Sequence, residues 1–184
     1  MSLIPSTSEL INADNLLAQG AIRQGMKVAD LGCGTTGHFI FPAAELVGSD
    51  GIVYAVDIQK SVLSGIESRK KMEGVENVKA VWADIERSGG VRIDASSLDL
   101  VLLVNNLFMA KEKSVLAKEI LRLMAPGARL IVADWKTTRV PFGPAVSDRV
   151  SAEEAERLFT ASGFELEKEF DAGKFHYGLV FKKV

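Results

Sequence analysis

Apolar runs alternate with amphipathic segments along most of the chain, and this alternation predicts an α/β fold. The run from Leu98 to Val104 is almost continuously apolar, as is typical of a parallel strand that is buried on both faces. Shorter runs predict strands at 26–31, 52–56, 78–82, 129–134, 165–170 and 175–182. The connection between the last two strands, residues 171–174, is too short for a crossover helix, so these strands should pair antiparallel. The pattern therefore predicts a doubly wound, Rossmann-like α/β fold with a mostly parallel seven-stranded sheet and an antiparallel last strand.

Two pairs of residues mark predicted helix starts. Ser6 with Glu9, and Ser151 with Glu154, have the spacing of a capping box, in which the side chains satisfy backbone N–H groups at a helix N-terminus. The first of these helices should carry one apolar stripe, made of Leu10, Ala13, Leu17 and Ala21. We expect the N-terminal helical segment, residues 1–25, to cover the ligand site.

Size and composition indicate one globular domain of residues 1–184. The formal net charge of −2 provides no basic field, so nucleic acid is not expected as a partner. The single cysteine cannot form an intrachain disulfide, which favours a reducing compartment. The N-terminus lacks the features of a signal peptide, and the most apolar stretch, 98–110, is too short to span a bilayer. We therefore expect a cytoplasmic protein without a membrane span.

A glycine-rich turn follows the first predicted strand. Gly32, Gly34 and Gly37 match the Gly-x-Gly-x-x-Gly fingerprint of nucleotide-binding loops, and an apolar segment at 39–47 follows as a predicted helix. In such a turn the backbone approaches a ligand closely. Two ligand classes use this arrangement, a dinucleotide such as NAD and S-adenosylmethionine. Asp30, two residues before the first glycine, favours a cationic ligand with a free amino group.

Acidic side chains follow the next two predicted strands. Asp57 lies 23 residues after Gly34, close to the spacing expected for an acid that accepts hydrogen bonds from ribose hydroxyls. Asp84 can accept a hydrogen bond from an adenine amino group, although an acid there can equally cap a helix. Because open α/β sheets bind ligands at the carboxyl ends of their strands, these acids and the glycine-rich turn should form one site.

Five segments carry a resemblance to a known family; they are residues 30–34, 53–57, 83–85, 102–108 and 123–130. In this order they are similar to the first, second, third and fourth motifs and the post-motif of the class I S-adenosylmethionine-dependent methyltransferases. The likeness extends from about residue 26 to residue 182 and is nearest to small relatives of the ubiquinone/menaquinone-biosynthesis C-methyltransferases. The third glycine of this family usually lies two residues after the second, where this chain has Thr36. Either the loop is one residue longer and uses Gly37, or Thr36 occupies the tight position.

The resemblance implies that S-adenosylmethionine is the cofactor and that nine residues bind it. Asp30 and the backbone of the glycine-rich turn would hold the methionine end, Asp57 the ribose, and Asp84 with Ile85 the adenine. Asn105 would lie beside the methionyl group through its backbone carbonyl. The full set is Asp30, Gly32, Cys33, Gly34, Asp57, Ile58, Asp84, Ile85 and Asn105.

Segments near the end of the chain supply candidates for the substrate side. Trp135 and Lys136 follow the fifth strand, a loop containing Arg139 comes next, and His176 with Tyr177 begins the last strand. These segments should converge near the same sheet edge. His176 and Lys136 are candidate general bases for an acceptor that must lose a proton, and Trp135, Arg139 and Tyr177 are candidate substrate contacts. A structural role is an alternative for each of these five residues. The two histidines and one cysteine of the chain form no recognisable set of metal ligands.

These features predict S-adenosylmethionine-dependent methyl transfer to a small-molecule acceptor by in-line displacement. One alternative is an NAD(P)-dependent oxidoreductase, and another is a non-catalytic cofactor-binding protein on the same fold. The oxidoreductase is disfavoured because the Tyr-x-x-x-Lys pair of short-chain dehydrogenases is absent. The residues four positions after Tyr54 and Tyr177 are Ile58 and Phe181.

Overall fold

The computed structural model describes residues 10–138, 140 and 142–184, and these residues form one seven-stranded sheet with helices on both faces. In chain order the strands are β1 (Lys27–Leu31), β2 (Ile52–Asp57), β3 (Val78–Trp82), β4 (Leu98–Val104), β5 (Met124–Trp135), β6 (Phe164–Gly173) and β7 (His176–Lys183). The α-helices are α1 (Ala13–Ala18), α2 (Ile40–Val47), α3 (Lys60–Glu73), α4 (Lys113–Leu123) and α5 (Ala152–Ala161).

The strand order across the sheet is β3-β2-β1-β4-β5-β7-β6. Strands β1 to β5 pair in parallel, whereas β7 pairs antiparallel with both β5 and β6. The predicted doubly wound fold with a reversed last strand is therefore confirmed. The chain order reverses between β1 and β4, and the crevice at the carboxyl ends of two such strands is the usual ligand site of an open α/β sheet.

Alternate residues of each strand are buried in two apolar layers on opposite sides of the sheet. One layer, the α4–α5 face, contains Leu31 together with Ile120 and Phe159. The other layer, the α1–α3 face, contains Val28 together with Ile40. Because both faces are covered, the carboxyl ends of the strands are held in position, and the residues that follow them form a defined edge.

The first helix differs from the prediction. It covers only Ala13–Ala18 and starts where the Asn12 side chain accepts a backbone N–H at 2.8 Å. Leu10 therefore precedes this helix, and Ala21 follows it with a left-handed backbone (φ 49°) that cannot continue an α-helix. The predicted apolar stripe is thus wrong at both ends, and the predicted capping box at 6–9 lies outside the described residues.

The second capping box is confirmed. The Ser151 hydroxyl accepts the Glu154 N–H at 3.2 Å, and the Glu154 carboxylate accepts the Ser151 N–H at 2.9 Å. These bonds start α5, whose apolar side contributes to the α4–α5 face. Both partners lie within one helical turn, which is why the spacing alone predicted the contact.

Candidate active site

A cavity of about 310 Å³ lies beyond the carboxyl ends of β1, β2, β3 and β4. All nine residues that the sequence predicts to bind the cofactor line this cavity. Further residues complete the lining: Phe39, Gln59, Ala83, Glu86, Val104, Asn106, Met109 and Ala110. The structure thus brings the predicted residues together, whereas the contact that each makes with a ligand remains a prediction.

Gly32 connects the glycine-rich turn to the end of β4. Its backbone is left-handed (φ 75°), and a Cβ atom at this position would overlap the Asn106 side chain. The Asn106 amide donates to the carbonyl oxygens of Gly32 and Val104 at 3.0 and 2.7 Å. Asn106 therefore holds the floor of the cavity together. Sequence reasoning did not include it among the site residues, although it directly follows Asn105.

Gly37 settles the alternative that the sequence left open in the glycine-rich turn. Its φ is 60°, and a Cβ atom there would lie 2.7 Å from the Phe41 ring and 2.8 Å from Ile66. Helix α2 begins only at Ile40, and Thr36 does not adopt a left-handed backbone. The longer loop is therefore the correct alternative, with Gly37 at the point where α2 and α3 approach each other.

Asp57 anchors the glycine-rich turn to the end of β2. Its carboxylate accepts the Gly34 N–H at 3.2 Å and the Gln59 N–H at 2.9 Å. The N–H groups of Gly32 and Cys33 donate to the Val56 carbonyl at 2.8 and 3.1 Å. The first three N–H groups of the turn are thus satisfied by the protein itself.

Asp84 and Glu86 form the wall that follows β3. The Asp84 carboxylate accepts the Glu86 N–H at 2.9 Å, which shapes the turn, and the Asp84 side chain remains exposed. The Glu86 carboxylate accepts the N–H groups of Lys111 and Glu112 at 2.6 and 2.7 Å. Glu86 therefore connects this wall to the start of α4. Its contact was not predicted, because nothing local to Glu86 indicates a partner in the segment before α4.

Asp30 is the buried acid of the site. Only 2% of the residue is exposed, and its Oδ2 atom has no hydrogen-bond partner in the structure. Burial, and secondly the nearby Asp57 carboxylate, raise the pKa of Asp30 to about 7. A cationic group at this position would favour the ionised carboxylate. The Cys33 thiol is also buried, and burial with both carboxylates raises its pKa, so it is unsuited to act as a nucleophile.

The charge of the lining has one sign. It contains four carboxyl groups, from Asp30, Asp57, Asp84 and Glu86, and within the described residues it contains no lysine, arginine or histidine. Such a lining favours a ligand with positive charge and disfavours one with phosphate groups.

The structure brings Trp135 and His176 together, but neither residue lines the cavity. They are register partners on β5 and β7, their ring centroids are 4.4 Å apart, and both are fully buried. Lys136 lies nearby, and its Nζ donates to the Asp171 carboxylate and the Gly173 carbonyl at 3.0 Å each. This ion pair braces the β6–β7 hairpin and disfavours Lys136 as the general base.

Tyr177 does not join the other candidate substrate residues. It packs on the α4–α5 face, whereas the neighbouring His176 side chain projects towards the α1–α3 side, because successive strand residues point to opposite faces. The predicted convergence of Tyr177 with Trp135 is therefore not observed. Arg139, the remaining candidate substrate contact, lies outside the described residues.

The described part of the N-terminal segment approaches the site without lining the cavity. His38 Nε2 forms a 2.8 Å hydrogen bond with the carbonyl oxygen of Ile11. The Leu10 carbonyl packs so closely on Gly173 that a Cβ atom there would lie 3.1 Å from it. The segment therefore runs between the glycine-rich turn and the β6–β7 hairpin. That residues 1–25 cover the ligand site stays a prediction, since residues 1–9 lie outside the described ranges.

The described ranges contain neither a metal-binding cluster nor a membrane-spanning helix. No three or more histidine, cysteine, aspartate or glutamate side chains are grouped there in a way that could hold a metal ion. None of the helices in the same ranges is long and apolar enough to cross a bilayer.

A family model for the methyltransferase domain matches residues 22–176. Aklanonic acid methyltransferase DauC of Streptomyces sp. (strain C5) is 37% identical over 78 residues, which are 42% of this chain and 34% of that protein. Ubiquinone/menaquinone biosynthesis C-methyltransferase UbiE of Laribacter hongkongensis (strain HLHK9) is 31% identical over 128 residues, which are 70% of this chain and 50% of that protein. The structure of a SAM dependent methyltransferase from Aquifex aeolicus has a TM-score of 0.88 at 23% identity, covering 98% of this chain and 94% of that one.

The chain spans at most about half the length of these two curated relatives. The family match, in contrast, includes the glycine-rich turn, the strand-end acids and β1 to β5. The likeness to the Aquifex aeolicus structure extends over nearly the whole fold. The chain therefore belongs to the methyltransferase domain family, and it has the fold of the SAM dependent methyltransferase from Aquifex aeolicus.

Proposed function

We propose that this chain transfers a methyl group from S-adenosylmethionine to a small-molecule acceptor. The observation that carries the proposal is the acidic lining of the cavity, and in particular the buried Asp30 oxygen without a hydrogen-bond partner. S-adenosylmethionine has an ammonium group and a positively charged sulfur, both of which suit this lining. The names of the two curated relatives refer to aklanonic acid and to ubiquinone/menaquinone biosynthesis, which supports a small molecule as acceptor.

The same observations weigh against a dinucleotide. Glycine-rich turns that bind a pyrophosphate offer free backbone N–H groups to it. In this turn the Gly32 and Cys33 N–H groups donate to Val56, and the Gly34 N–H donates to Asp57. A pyrophosphate would have to displace these bonds and lie beside two carboxyl groups. The oxidoreductase alternative therefore has no support in the site.

Each part of the lining has a role in this proposal. Asp30 would accept the ammonium group, and Asp57, whose oxygens each use one lone pair on a backbone N–H, would accept the ribose hydroxyls. Asp84 and Ile85 would lie against the adenine. The Asn105 backbone, which has a left-handed φ of 55°, would lie against the methionyl group. When bound, S-adenosylmethionine supplies an electrophilic methyl group. The residues contribute orientation and exclusion of water, which account for much of the rate of such a displacement.

The cofactor is tested first by titration calorimetry with S-adenosylmethionine, S-adenosylhomocysteine and NAD(H). We expect micromolar binding of the first two and no heat with NAD(H). Binding of NAD(H) alone would overturn the proposal. Turnover is tested next, by release of S-adenosylhomocysteine in the presence of hydroxyl, carbon-acid, amine and thiol acceptors. Tight cofactor binding without turnover on any acceptor class would contradict methyl transfer and favour the non-catalytic alternative.

A further inference from the structure

Three ring nitrogens on β5 and β7 are buried without a hydrogen-bond partner. They are Nε1 of Trp135 and both Nδ1 and Nε2 of His176, and neither residue has any exposed surface. A buried polar group without a partner destabilises the fold, so a cluster of three calls for an explanation. The two rings lie side by side, with centroids 4.4 Å apart.

The position of this pair relates it to the cofactor cavity. Val104, which lines the cavity, is the register partner of Ala133, and Ala133 accepts the Asn105 N–H at 2.9 Å. Trp135 lies two residues further along β5 and therefore points to the same face as Ala133. Because adjacent strands are about 5 Å apart, the Trp135–His176 pair lies one to two strands from the cavity wall.

A short segment covers the Trp135 ring of this pair. The Phe142 ring stands edge-on to Trp135 at a centroid distance of 6.1 Å, and a Cβ atom on Gly143 would lie 2.8 Å from the Trp135 ring. Gly143 is left-handed (φ 84°), so this close approach depends on glycine. We call residues 142–144 the roof segment.

Arg149 holds the roof segment in place. Its guanidinium lies 5.2 Å from the Trp135 ring centroid and makes five hydrogen bonds, of 2.8 to 3.4 Å. All five go to backbone carbonyls, those of Lys136, Thr138, Phe142 and Pro144. No carboxylate of the described residues forms an ion pair with it. One side chain therefore closes the roof, chiefly through polar contacts that can break without disrupting the apolar layers.

The unpaired atoms define the chemistry of a ligand. An indole N–H only donates, whereas a neutral imidazole donates once and accepts once. Burial, and then the Lys136 and Arg149 charges, lower the pKa of His176 to about 4, so the ring is neutral at pH 7. The same two cations disfavour an ammonium group on the ligand. A hydroxyl or carbonyl oxygen satisfies the donors, and a hydroxyl proton satisfies the acceptor.

We propose that Trp135 and His176 form a closed subsite for an uncharged hydroxyl or carbonyl group of the methyl acceptor, and that Arg149 is a positioning residue which keeps its roof shut. This inference rests on the proposed function for the identity of the ligand as methyl acceptor. The acceptor enters when the roof segment lifts, and its oxygen then replaces the missing partners of the ring nitrogens.

The test uses the Trp135 indole N–H as its reporter. The chain has two tryptophans, so Trp82→Phe leaves a single indole N–H signal in the NMR spectrum. We expect this proton to exchange slowly with deuterium, and at least tenfold faster when Arg149→Lys is added. Arg157→Lys, at an exposed position on α5, is the matched control and should change nothing. The backbone amide of Leu130 in β5 reports global opening; if it accelerates as much as the indole, the separate roof is disproved.

Recognition is tested in the same protein with S-adenosylhomocysteine bound. Phenol, which carries an uncharged hydroxyl on a ring that suits the aromatic surroundings, should shift the indole N–H signal downfield. Toluene and benzylamine, which lack the hydroxyl and carry no oxygen, should not. Equal shifts with all three probes, or no shift with phenol even in the Arg149→Lys background, would overturn the subsite. Failure of the cofactor to bind would overturn the proposed function instead, because the exchange experiment needs no cofactor.

Discussion

The Asp30 carboxyl differs from the other polar groups around the glycine-rich turn because the protein leaves one of its oxygens without a partner. Asp57 uses both oxygens on backbone N–H groups, and the Asn106 amide bridges two carbonyls. These neighbours hold the turn in shape, whereas Asp30 is available to a ligand. At the scale of single residues, the site thus separates into groups that maintain its geometry and one group that attracts charge.

Asp30→Asn tests that separation. The ionised carboxylate attracts an ammonium group and its pKa is about 7, so affinity for S-adenosylhomocysteine should rise from pH 6 to pH 8. The variant should lose this pH dependence and bind about tenfold more weakly at pH 8, as expected when a charged hydrogen bond is removed. Calorimetry across the pH range measures both effects. Asp50→Asn, in an exposed turn, is the control, and an unchanged pH dependence in Asp30→Asn would contradict the role of Asp30.

Gly32→Ala and Gly34→Ala form a matched pair. Both glycines are left-handed, at φ 75° and 67°, so alanine costs about 1 kcal/mol of backbone strain at either position. Only at Gly32 would the Cβ atom also overlap the Asn106 side chain, whereas no heavy atom lies within 4 Å at Gly34. Gly32→Ala should therefore lower the free energy of unfolding by a further ~1–3 kcal/mol in urea titrations. Equal losses in the two variants would show that Asn106 does not constrain this position.

At the scale of elements, the walls of the cavity depend on contacts between segments that are distant in sequence. The wall after β3 reaches the start of α4 through the Glu86 carboxylate, which accepts two N–H groups there. These N–H groups belong to Lys111 and Glu112, directly before α4, so the carboxylate fixes the segment that leads into the helix. Ile85 stands on one side of this connection and Met109 on the other, and both line the cavity.

Glu86→Ala should loosen both walls at once. We expect a loss of about 1–3 kcal/mol in unfolding free energy, because hydrogen bonds to a charged acceptor are removed, and a several-fold weaker affinity for S-adenosylhomocysteine. Thermal unfolding and calorimetry measure the two effects. Glu86→Gln keeps an acceptor oxygen and should recover part of both, while Glu76→Ala, at an exposed position, serves as control. A stability loss without any change in affinity would limit Glu86 to a purely structural role.

At the scale of the whole molecule, buried titratable groups act on stability in opposite directions. Burial raises the pKa of Asp30 to about 7 and that of Asp134 to about 6, although three backbone N–H groups donate to Asp134. In the folded protein these carboxyl groups stay protonated to a higher pH than in the unfolded chain. Both groups therefore make stability fall as pH rises from about 4 to 7. His176 has a pKa lowered to about 4, and it makes stability rise over the range from 4 to 6.5.

His176→Gln should therefore make the unfolding free energy decline more steeply between pH 4 and pH 6.5. The contribution removed is at most about 3 kcal/mol over this window, at 1.36 kcal/mol per pKa unit. Asp30→Asn should have the opposite effect and flatten the decline. Urea unfolding at several pH values gives these slopes, with His38→Gln as the matched histidine control. If the unfolding free energy changes with pH at the same slope in the parent and in His176→Gln, the fold does not hold the imidazole neutral.

Much of this molecule follows from local patterns that the sequence displays directly. The apolar runs predicted the parallel strands, because a strand that is buried on both faces must be apolar along its length. The short connection predicted the antiparallel β7, because four residues cannot form the crossover that parallel strands need. Strand order also predicted that the glycine-rich turn and the acids after β2 and β3 share one site, and the family resemblance extended this set to nine residues, all of which line one cavity. In these cases the decisive interactions lie within a few residues of one another or follow from strand order.

Contacts between segments far apart in the chain could not be predicted from local patterns. Asn106 meets Gly32 from 74 residues away, and Glu86 meets Lys111 from 25 residues away, so no local spacing indicates either contact. Arg149 meets four carbonyls because of the path taken by the preceding loop. Tyr177 and His176 are neighbours in sequence but separate onto opposite faces of β7. The strands, the turns and the sheet edge proposed as the ligand site could be predicted from the sequence, because they depend on local burial and backbone freedom. The partners of side chains such as Asn106, Glu86 and Arg149 depend instead on how separate segments pack, which is a property of the folded molecule.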